Sequence, residues 1–315
     1  MKHQTLFKNF LIILFYLLSS IFYIPSSLAQ ESSLSLSPSL SEIIIKPGQS
    51  IKQRFRLTNK SDPLIVILRV LPFETGDTQG HIIFKDQSKL PLRFDIENAD
   101  TPLDQAFLLK TSETKDIDLR IQTNEGTSEK DYYLSLVAQT QPPPPQEGIS
   151  SLRAKITLAS PLLITVTSDG ELEVEPKIGL LKVLPDYKFN AFGRSSNLLE
   201  SGNRLKVVLI VENKGKNFIK PRGNITLKGP FGLSKRYEIK PQNVLAESQR
   251  NITLSLEPSG FYLGKHTLSA SINFGEATPN LFASTSFFVL PIKIFTLTLF
   301  IISLLILIKK RLENS

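Results

Sequence analysis

The sequence predicts an all-β protein built from two tandem β-sandwiches, followed by one hydrophobic helix near the C-terminus. Three observations lead to this prediction: short segments that alternate polar and apolar residues, an order of turns and strands that occurs twice, and a long apolar run at each end of the chain. When polar and apolar residues alternate with a period of two, one side of the strand faces a core and the other faces water. Many short strands separated by Gly, Pro, Asn and Asp are typical of sandwiches.

The alternating segments lie between the two apolar ends of the chain. In Ser50–Leu57, for example, polar and apolar residues alternate, with Gln53 as the one exception. The same alternation, more or less complete, occurs in Thr114–Ile121, Tyr133–Val137, Leu205–Val211, Asn251–Leu256 and Thr267–Ile272. No segment between the ends has the 3.6-residue period of an amphipathic helix, so the region is predicted to be β throughout.

One order of turn, strand and turn occurs twice. Gly48 and Asn59 flank a strand in the first copy, and Gly202 and Asn213 flank a strand at the same spacing in the second. The later segments correspond as well: 113–119 with 247–254, 131–136 with 265–270, and the long last strands 152–166 with 281–289. Such self-similarity indicates a repeated structural unit. We therefore predict one domain over residues 30–169 and a second over residues 170–286.

The proline-rich run Gln141–Gln146 has the composition of an interdomain linker. In the alignment of the two copies, however, it corresponds to 275–280, the loop between the last two strands of the second copy. It is therefore predicted to be a stiff loop at one end of the first sandwich. The domain boundary is predicted near Ser168–Gly170, and Gly76–Gly80 indicates an extra hairpin in the first copy.

The N-terminal apolar run has the features of a signal peptide. Lys2 and Lys8 precede an apolar stretch over Phe10–Ile24, and small residues flank a cleavage position after Ala29. Residues 1–29 are therefore expected to be removed when the protein is exported.

The C-terminal apolar run is predicted to be a transmembrane helix over residues 287–308, because about 20 apolar residues span a bilayer. The basic residues Lys309, Lys310 and Arg311 follow, so residues 309–315 are predicted to be a cytoplasmic tail. The expected location is the cell membrane, with a single pass, an extracytoplasmic N-terminal region and a cytoplasmic C-terminus.

The composition excludes several classes of function. The net charge is 37 − 29 = +8, but no block of five like charges occurs, which disfavours nucleic acid as a partner. The chain has no cysteine, so disulfides, thiol nucleophiles and thiolate metal sites are excluded. Tryptophan is absent as well, so the Cys, Trp and Cys core of classical immunoglobulin domains is also excluded.

No arrangement of residues predicts catalysis, a metal or a cofactor. The three histidines, His3, His81 and His266, are far apart in the sequence and belong to no catalytic motif. The pair Glu74 and Asp77 is interpreted as part of a solvated turn. The run of alternating acids, Glu171, Glu173 and Glu175, is interpreted as the wet face of a strand rather than a calcium site. The protein is therefore predicted not to be an enzyme.

Loops at the ends of sandwiches commonly carry binding residues on a rigid frame. Three loops of this sequence are candidates because they contain stiff prolines or aromatic residues. The candidate partner-binding residues are Pro142, Pro143, Pro144, Pro145, Phe231, Phe261 and Tyr262. The alternative interpretation, that these rings close the bottom of a core, stays open.

The layout resembles that of the bacterial WxL-interacting cell-surface proteins. The residues that carry the resemblance are Ile45–Ser50, the strand that ends at Leu57–Ser61, and Phe73–Phe84, together with the order of modules along the chain. The resemblance implies two tandem immunoglobulin-like β-sandwiches plus one C-terminal transmembrane α-helix. It also implies that the first domain binds peptidoglycan. No binding residue can be transferred from the family to a position in this chain.

Three functions are compared. The leading hypothesis is a membrane-anchored binding or scaffold protein that presents two domains to cell-wall polymer or to another surface protein, as in adhesion. The alternative is an envelope assembly factor resembling a pilus-type chaperone, which would pair with a strand of its partner. An enzyme is the third hypothesis, and the lack of an acid–base arrangement disfavours it. The sequence leaves the ligand and the oligomeric state open.

Overall fold

The computed structural model describes residues 34–85, 90–98, 101–141, 155–191, 194–230, 232–258, 263–275 and 278–313. The predicted signal peptide, residues 1–29, lies outside them. The described residues contain nineteen strands and one helix, so the all-β prediction is confirmed for this part of the chain.

Ten strands form the first half of the described chain, and all of them contribute to two sheets or to the hairpins attached to these sheets. They are β1 (Leu34–Ser37), β2 (Ser41–Ile45), β3 (Ser50–Asn59), β4 (Leu64–Thr75), β5 (Ile82–Phe84), β6 (Leu92–Ile96), β7 (Ala106–Leu109), β8 (Thr114–Thr123), β9 (Asp131–Gln141) and β10 (Thr157–Val166). One sheet has the order β1-β3-β8-β6, and the other has the order β2-β10-β9-β4-β5, with β7 also paired to β4.

Nine strands form the second half. They are β11 (Pro176–Leu184), β12 (Tyr187–Ala191), β13 (Arg194–Glu200), β14 (Leu205–Asn213), β15 (Arg222–Lys228), β16 (Ser234–Ile239), β17 (Ser248–Leu256), β18 (Gly264–Asn273) and β19 (Leu281–Leu290). The smaller sheet has the order β11-β14-β17, and the larger has the order β12-β13-β19-β18-β15-β16.

The two halves share one plan. In each, the last strand pairs antiparallel with the strand before it and parallel with an early strand: β10 lies between β9 and β2, and β19 lies between β18 and β13. In each, apolar residues from both sheets form one buried cluster, with Phe55 and Leu134 in the first and Val207 and Leu268 in the second. The alternation read from the sequence is confirmed in β14, where Leu205, Val207, Leu209 and Val211 are all buried.

The flanking residues of the repeated strand are duplicated in three dimensions. Gly48 and Gly202 have φ values of 74° and 89°, which favour glycine at both turns. The side chains of Asn59 and Asn213 are almost completely buried. Each accepts a hydrogen bond from the backbone N–H two residues later, at 3.0 and 3.1 Å, and donates to backbone carbonyls of a distant segment. These two asparagines tie the strand to the loop that precedes its partner.

The proline-rich run falls between β9 and β10, which are adjacent antiparallel strands of one sheet. The hairpin predicted around Gly76–Gly80 is present, because β4 and β5 pair from Phe73 with Phe84 to Thr75 with Ile82.

The predicted transmembrane helix is wrong. Phe287–Leu290 belong to β19, where Phe287–Val289 pair with β18, and the single described helix, α1, begins at Ile292 and ends at Glu313. Only fifteen residues separate Lys293 from Lys309 in this helix, fewer than the roughly 20 that a span needs. Within the described residues, no helix combines the length and the apolar character required to cross a membrane. The predicted single-pass membrane localisation is therefore contradicted, and the membrane as a partner through this helix is not supported.

We expect Asn59→Ala and Asn213→Ala each to lower the free energy of unfolding by about 2–3 kcal/mol, because several buried backbone groups lose their partners at once. Denaturant unfolding of the full chain measures the effect. Asn124→Ala is the matched control, since the Asn124 residue is exposed. Losses no larger than that of the control would contradict the role assigned to the two asparagines.

Candidate partner-binding groove and strand edge

The residues predicted to bind a partner cannot be placed. Pro142, Pro143, Pro144, Pro145, Phe231, Phe261 and Tyr262 all lie outside the described residues. The candidate site is therefore built from the described surface where the two halves meet and from the strand edge beside it.

A buried carboxylate joins the two halves. Asp131 opens β9, and its Oδ1 accepts hydrogen bonds from Thr165 Oγ1 at 2.7 Å and from Asn217 Nδ2 at 2.8 Å. Its Oδ2 accepts one from the backbone N–H of Phe218 and one from Tyr133 Oη at 2.9 Å. Residues 217 and 218 belong to the second half, so one side chain of the first half satisfies donors of both. A buried charge is tolerated only when it is hydrogen-bonded in this way.

Tyr133 extends the same contact. Its hydroxyl donates to Asp131 and accepts from the backbone N–H of Ala246 in the second half at 2.7 Å. Burial, together with the charge of Asp131, raises the pKa of Tyr133 well above its usual value. The phenol therefore stays protonated and keeps its donor. Its ring stacks on Phe73, with ring centroids 6.0 Å apart.

A second contact between the halves is ionic. The Glu42 carboxylate on β2 accepts from Lys220 Nζ at 2.6 Å and from Asn243 Nδ2 at 2.9 Å. Burial disfavours the charged form of Glu42, but the hydrogen bonds from Lys220 and Asn243 outweigh it and hold the pKa of Glu42 below its usual range. The side chains of Lys220 and Glu42 are each about one third exposed, so their ion pair contributes only modestly to stability.

The third contact comes from the tip of the β4–β5 hairpin. The backbone N–H of Asn251 on β17 donates to Thr78 O at 2.6 Å, and Asn251 Nδ2 donates to Thr78 Oγ1 at 2.9 Å. A Cβ built on Gly80 would come within 2.5 Å of the Arg250 guanidinium, so the hairpin backbone lies directly against that side chain. The smaller sheet of the second half has one strand fewer than its counterpart, and the hairpin tip reaches its outer strand.

These contacts surround a groove of about 400 Å³ between the halves. Its wall from the first half is mainly apolar. Its wall from the second half consists of Lys220, the segment before β17 and the start of that strand. Its apolar lining residues include Leu40, Phe73, Ile82, Pro161, Leu163 and Leu245. Pockets of 300–1,000 Å³ with apolar walls are typical of ligand sites.

The edge of β10 opens beside this groove. The Thr140 N–H donates to Ile156 O at 2.9 Å, so the even-numbered residues of this strand turn their backbone groups toward β9. The Thr167 N–H donates to Ile45 O at 3.1 Å, so the odd-numbered residues turn theirs toward β2. β2 pairs only with Leu162–Val166.

The backbone groups of Thr157 and Ala159 and the carbonyl of Pro161 therefore face a side on which no strand of the described residues pairs with them. Proline lacks an N–H, and its position on this side fits an edge. The hydrogen bond from Ser160 Oγ to Pro38 O, at 2.7 Å, marks where the chain enters β2 and closes the edge.

The other polar groups singled out in the sequence are explained by local structure. Glu74 forms an ion pair with Lys85 at 2.6 Å. Asp77 caps its own turn, and a hydrogen bond from His81, helped by backbone N–H groups, lowers the pKa of Asp77 to about 2. Glu171–Glu175 do not form a strand, so the interpretation as a strand face is wrong, and Glu173 pairs with Lys216 at 2.7 Å. Among the described residues no cluster of three possible metal ligands occurs.

Sequence reasoning did not identify Asp131, Glu42 or Arg250 as residues of the contact between the halves. Glu42 carried a signal, because it is a single charge in a strand that is otherwise apolar after Ser41. Asp131 carried another, because it corresponds to Lys265 in the alignment of the two copies. Neither signal names a partner, since the partner residues are distant in the sequence.

No family model matches this chain, and no curated protein matches it. Among solved structures, it is similar to the class 5 fimbriae chaperone CfaA, with 12% identity, a TM-score of 0.38, and 81% of this chain and 98% of that chain covered. It is also similar to a chain of the CsuC–CsuE chaperone–tip adhesion subunit complex of Acinetobacter baumannii, with 13% identity, a TM-score of 0.38 and coverage of 80% and 98%. A third is the E. coli chaperone DraB, with 17% identity, a TM-score of 0.35 and coverage of 80% and 97%.

We expect Asp131→Asn to loosen the contact between the halves. The side-chain NH2 group of asparagine replaces one carboxylate oxygen that accepts two charge-assisted hydrogen bonds, so a donor then faces two other donors. Hydrogen exchange should become about 10- to 100-fold faster at the amides of Phe218 and Ala246. Asp116→Asn, which alters an exposed carboxylate paired with Arg56, is the matched control. Unchanged exchange at both amides would show that Asp131 does not hold the halves together.

The pH dependence of stability follows from Glu42. Its folded-state pKa lies below the unfolded value of about 4.3, so its contribution is complete above about pH 5 and is lost as the pH falls through the folded pKa. We expect Glu42→Gln to destabilise the chain at pH 7 and to have a smaller effect at pH 3, measured by urea unfolding. Glu74→Gln, on an exposed ion pair, should show a smaller difference between the two pH values. An effect of Glu42→Gln that does not diminish on acidification would contradict this assignment.

Proposed function

We propose that this chain is an envelope assembly factor that binds a partner polypeptide by adding one of its strands to the free edge of β10. The observation that carries the proposal is the one-sided pairing of Thr157–Pro161: β9 covers one side of this stretch, and on the other side the pairing with β2 begins only at Leu162. The backbone of an added strand would form hydrogen bonds with these N–H and C=O groups. The affinity of such pairing depends little on side chains.

The surroundings of the edge support the same proposal. The odd-numbered residues of β10 also place their side chains on the outer face, where Ala159 is exposed and Pro161 and Leu163 line the groove. A partner strand beside this edge would therefore lie next to the groove. The predicted signal peptide would deliver the chain to the envelope, where such partners are assembled.

The contrast between the outer faces of the first half is also consistent with this proposal. On the sheet with β3 and β8, the outward side chains are charged and neutralise one another, as in Arg54 with Asp118 and Arg56 with Asp116. Such a ladder is a solvated surface. On the sheet with β10, the outward positions near the groove are apolar. We further propose that the two halves are immunoglobulin-like modules and that binding is non-catalytic.

The test uses Ala159→Pro in the full chain expressed in its native cells. This change removes the N–H that faces the open side and leaves the N–H groups that face β9 in place. The matched control is Ala159→Val, which alters the same side chain position and keeps the N–H. We expect the variant with proline to recover at least tenfold less of the co-purifying polypeptide than the valine variant.

Two further measurements make the outcome decisive. Urea unfolding of Ala159→Pro should remain within about 1.5 kcal/mol of the parent chain, which excludes loss of the fold as the cause. In the complex recovered with the parent chain, the amides of Thr157 and Ala159 should exchange at least tenfold more slowly than after the partner is removed. Equal recovery by both variants, or exchange that does not slow at these amides, would refute strand addition at β10.

A further inference from the structure

The groove between the halves has walls from two different cores. Leu40, Phe73, Ile82 and Leu163 come from the first half, and Val244 and Leu245 come from the second. All six side chains are apolar, and the space of about 400 Å³ admits a large side chain.

The cations at the groove are paired. Lys220 lines it and is paired with Glu42 at 2.6 Å. Arg250 also lines it, donates from Nη1 to Asn243 O at 2.6 Å, and lies in the field of Asp77 on the opposite wall. Each cation that lines the groove therefore has a carboxylate nearby, Glu42 for Lys220 and Asp77 for Arg250. A charged ligand would therefore lose its hydration without gaining an unpaired counter-charge.

The position of the groove indicates what occupies it. Pro161 lines the groove at the point where the open stretch of β10 meets the chain at Pro38, and Leu163 follows it on the same face. Side chains of an added strand alternate between two faces, with those on one face about 7 Å apart. One side chain of a strand that pairs beside Ala159, two residues before Pro161, thus falls near the mouth of the groove.

We propose that the groove binds one large, uncharged apolar side chain from the interior of the partner strand, and that it does not select a chain terminus or another anion. This inference rests on the proposed function, because the strand edge brings the partner chain to the groove. It adds a specificity: strand addition alone accepts many sequences, whereas the groove selects an apolar residue at one register position. Replacing that residue by a charged one would weaken binding even with the edge intact.

The test uses small probes, so that groove binding is measured without strand addition. N-acetyl-leucinamide, N-acetyl-phenylalaninamide and the acid N-acetyl-phenylalanine are titrated into the full chain, and methyl and amide resonances of Leu163, Ile82 and Leu245 are followed by NMR. We expect saturable shifts at these residues with both amides, and at least threefold weaker binding of the acid at pH 7. N-acetyl-glycinamide should produce no saturable shift.

Matched variants on β5 locate the binding site. Ile82 lines the groove, whereas the side chain of the next residue, Ile83, lies against Gly76 on the other face of the hairpin. Ile82→Trp should fill the groove and weaken binding of the amide probes at least tenfold, and Ile83→Trp should leave it within twofold of the parent chain. Tighter binding of the acid, absence of saturable binding by either amide, or equal binding by both variants would each overturn the proposal.

The same titration on Ala159→Pro separates this inference from the proposed function. The probes do not need the open edge, so their binding should persist in that variant. If the amides bind the parent chain but the partner is recovered equally by Ala159→Pro and Ala159→Val, the groove stands as a site for uncharged apolar groups and strand addition fails. If partner recovery depends on Ala159 but the probes do not bind, strand addition stands and the groove proposal fails.

Discussion

The arrangement of the two halves depends on one buried carboxylate. Asp131 is 8% exposed and accepts four hydrogen bonds, two from the first half and two from the second. An isolated buried charge is so costly that the chain must keep these donors in place. Because Asn217 and Phe218 can reach the carboxylate only when the second half packs against β9, the requirement to satisfy one side chain restricts the relative position of two separate cores. The groove between the halves, with its paired cations, is a consequence of that position.

The duplication of one plan explains why the halves resemble each other, and their differences explain where binding groups lie. Both halves have the parallel pairing of an early strand with the last strand, and both have the buried asparagine after the repeated strand. The smaller sheet of the second half lacks the fourth strand that β6 supplies in the first. The hairpin of the first half contacts the strand left at that side. The strand that the second half lacks thus leaves the outer strand of its smaller sheet open to contact with the first half.

Much of the β architecture could be predicted from the sequence, because alternation and turn residues act locally. The strand from Leu205 to Val211 is one example: its apolar positions repeat every two residues and all are buried. The C-terminal run shows the limit of such reasoning. Phe287–Leu290 are apolar and equally compatible with a helix, and only their pairing with Gly264 to His266 on β18 decides that they form a strand. The groove could not be predicted at all, since its ion pair joins residues 178 positions apart in the chain.

The open stretch of β10 and the groove are two products of one geometric feature. β2 enters its sheet at Ser41, opposite Leu162, because the chain crosses from β1 at Pro38 and is held there by Ser160. Had β2 begun five residues earlier in the register, it would have covered Thr157–Pro161 and closed the edge. The late entry leaves the backbone of Ala159 exposed on one side, and it leaves Leu40 facing the space next to Leu163. An unpaired edge is normally a hazard for aggregation. Here the exposed stretch is short, contains a proline and ends against the chain at Pro38, so a partner strand can pair only over a limited length and in a limited set of registers.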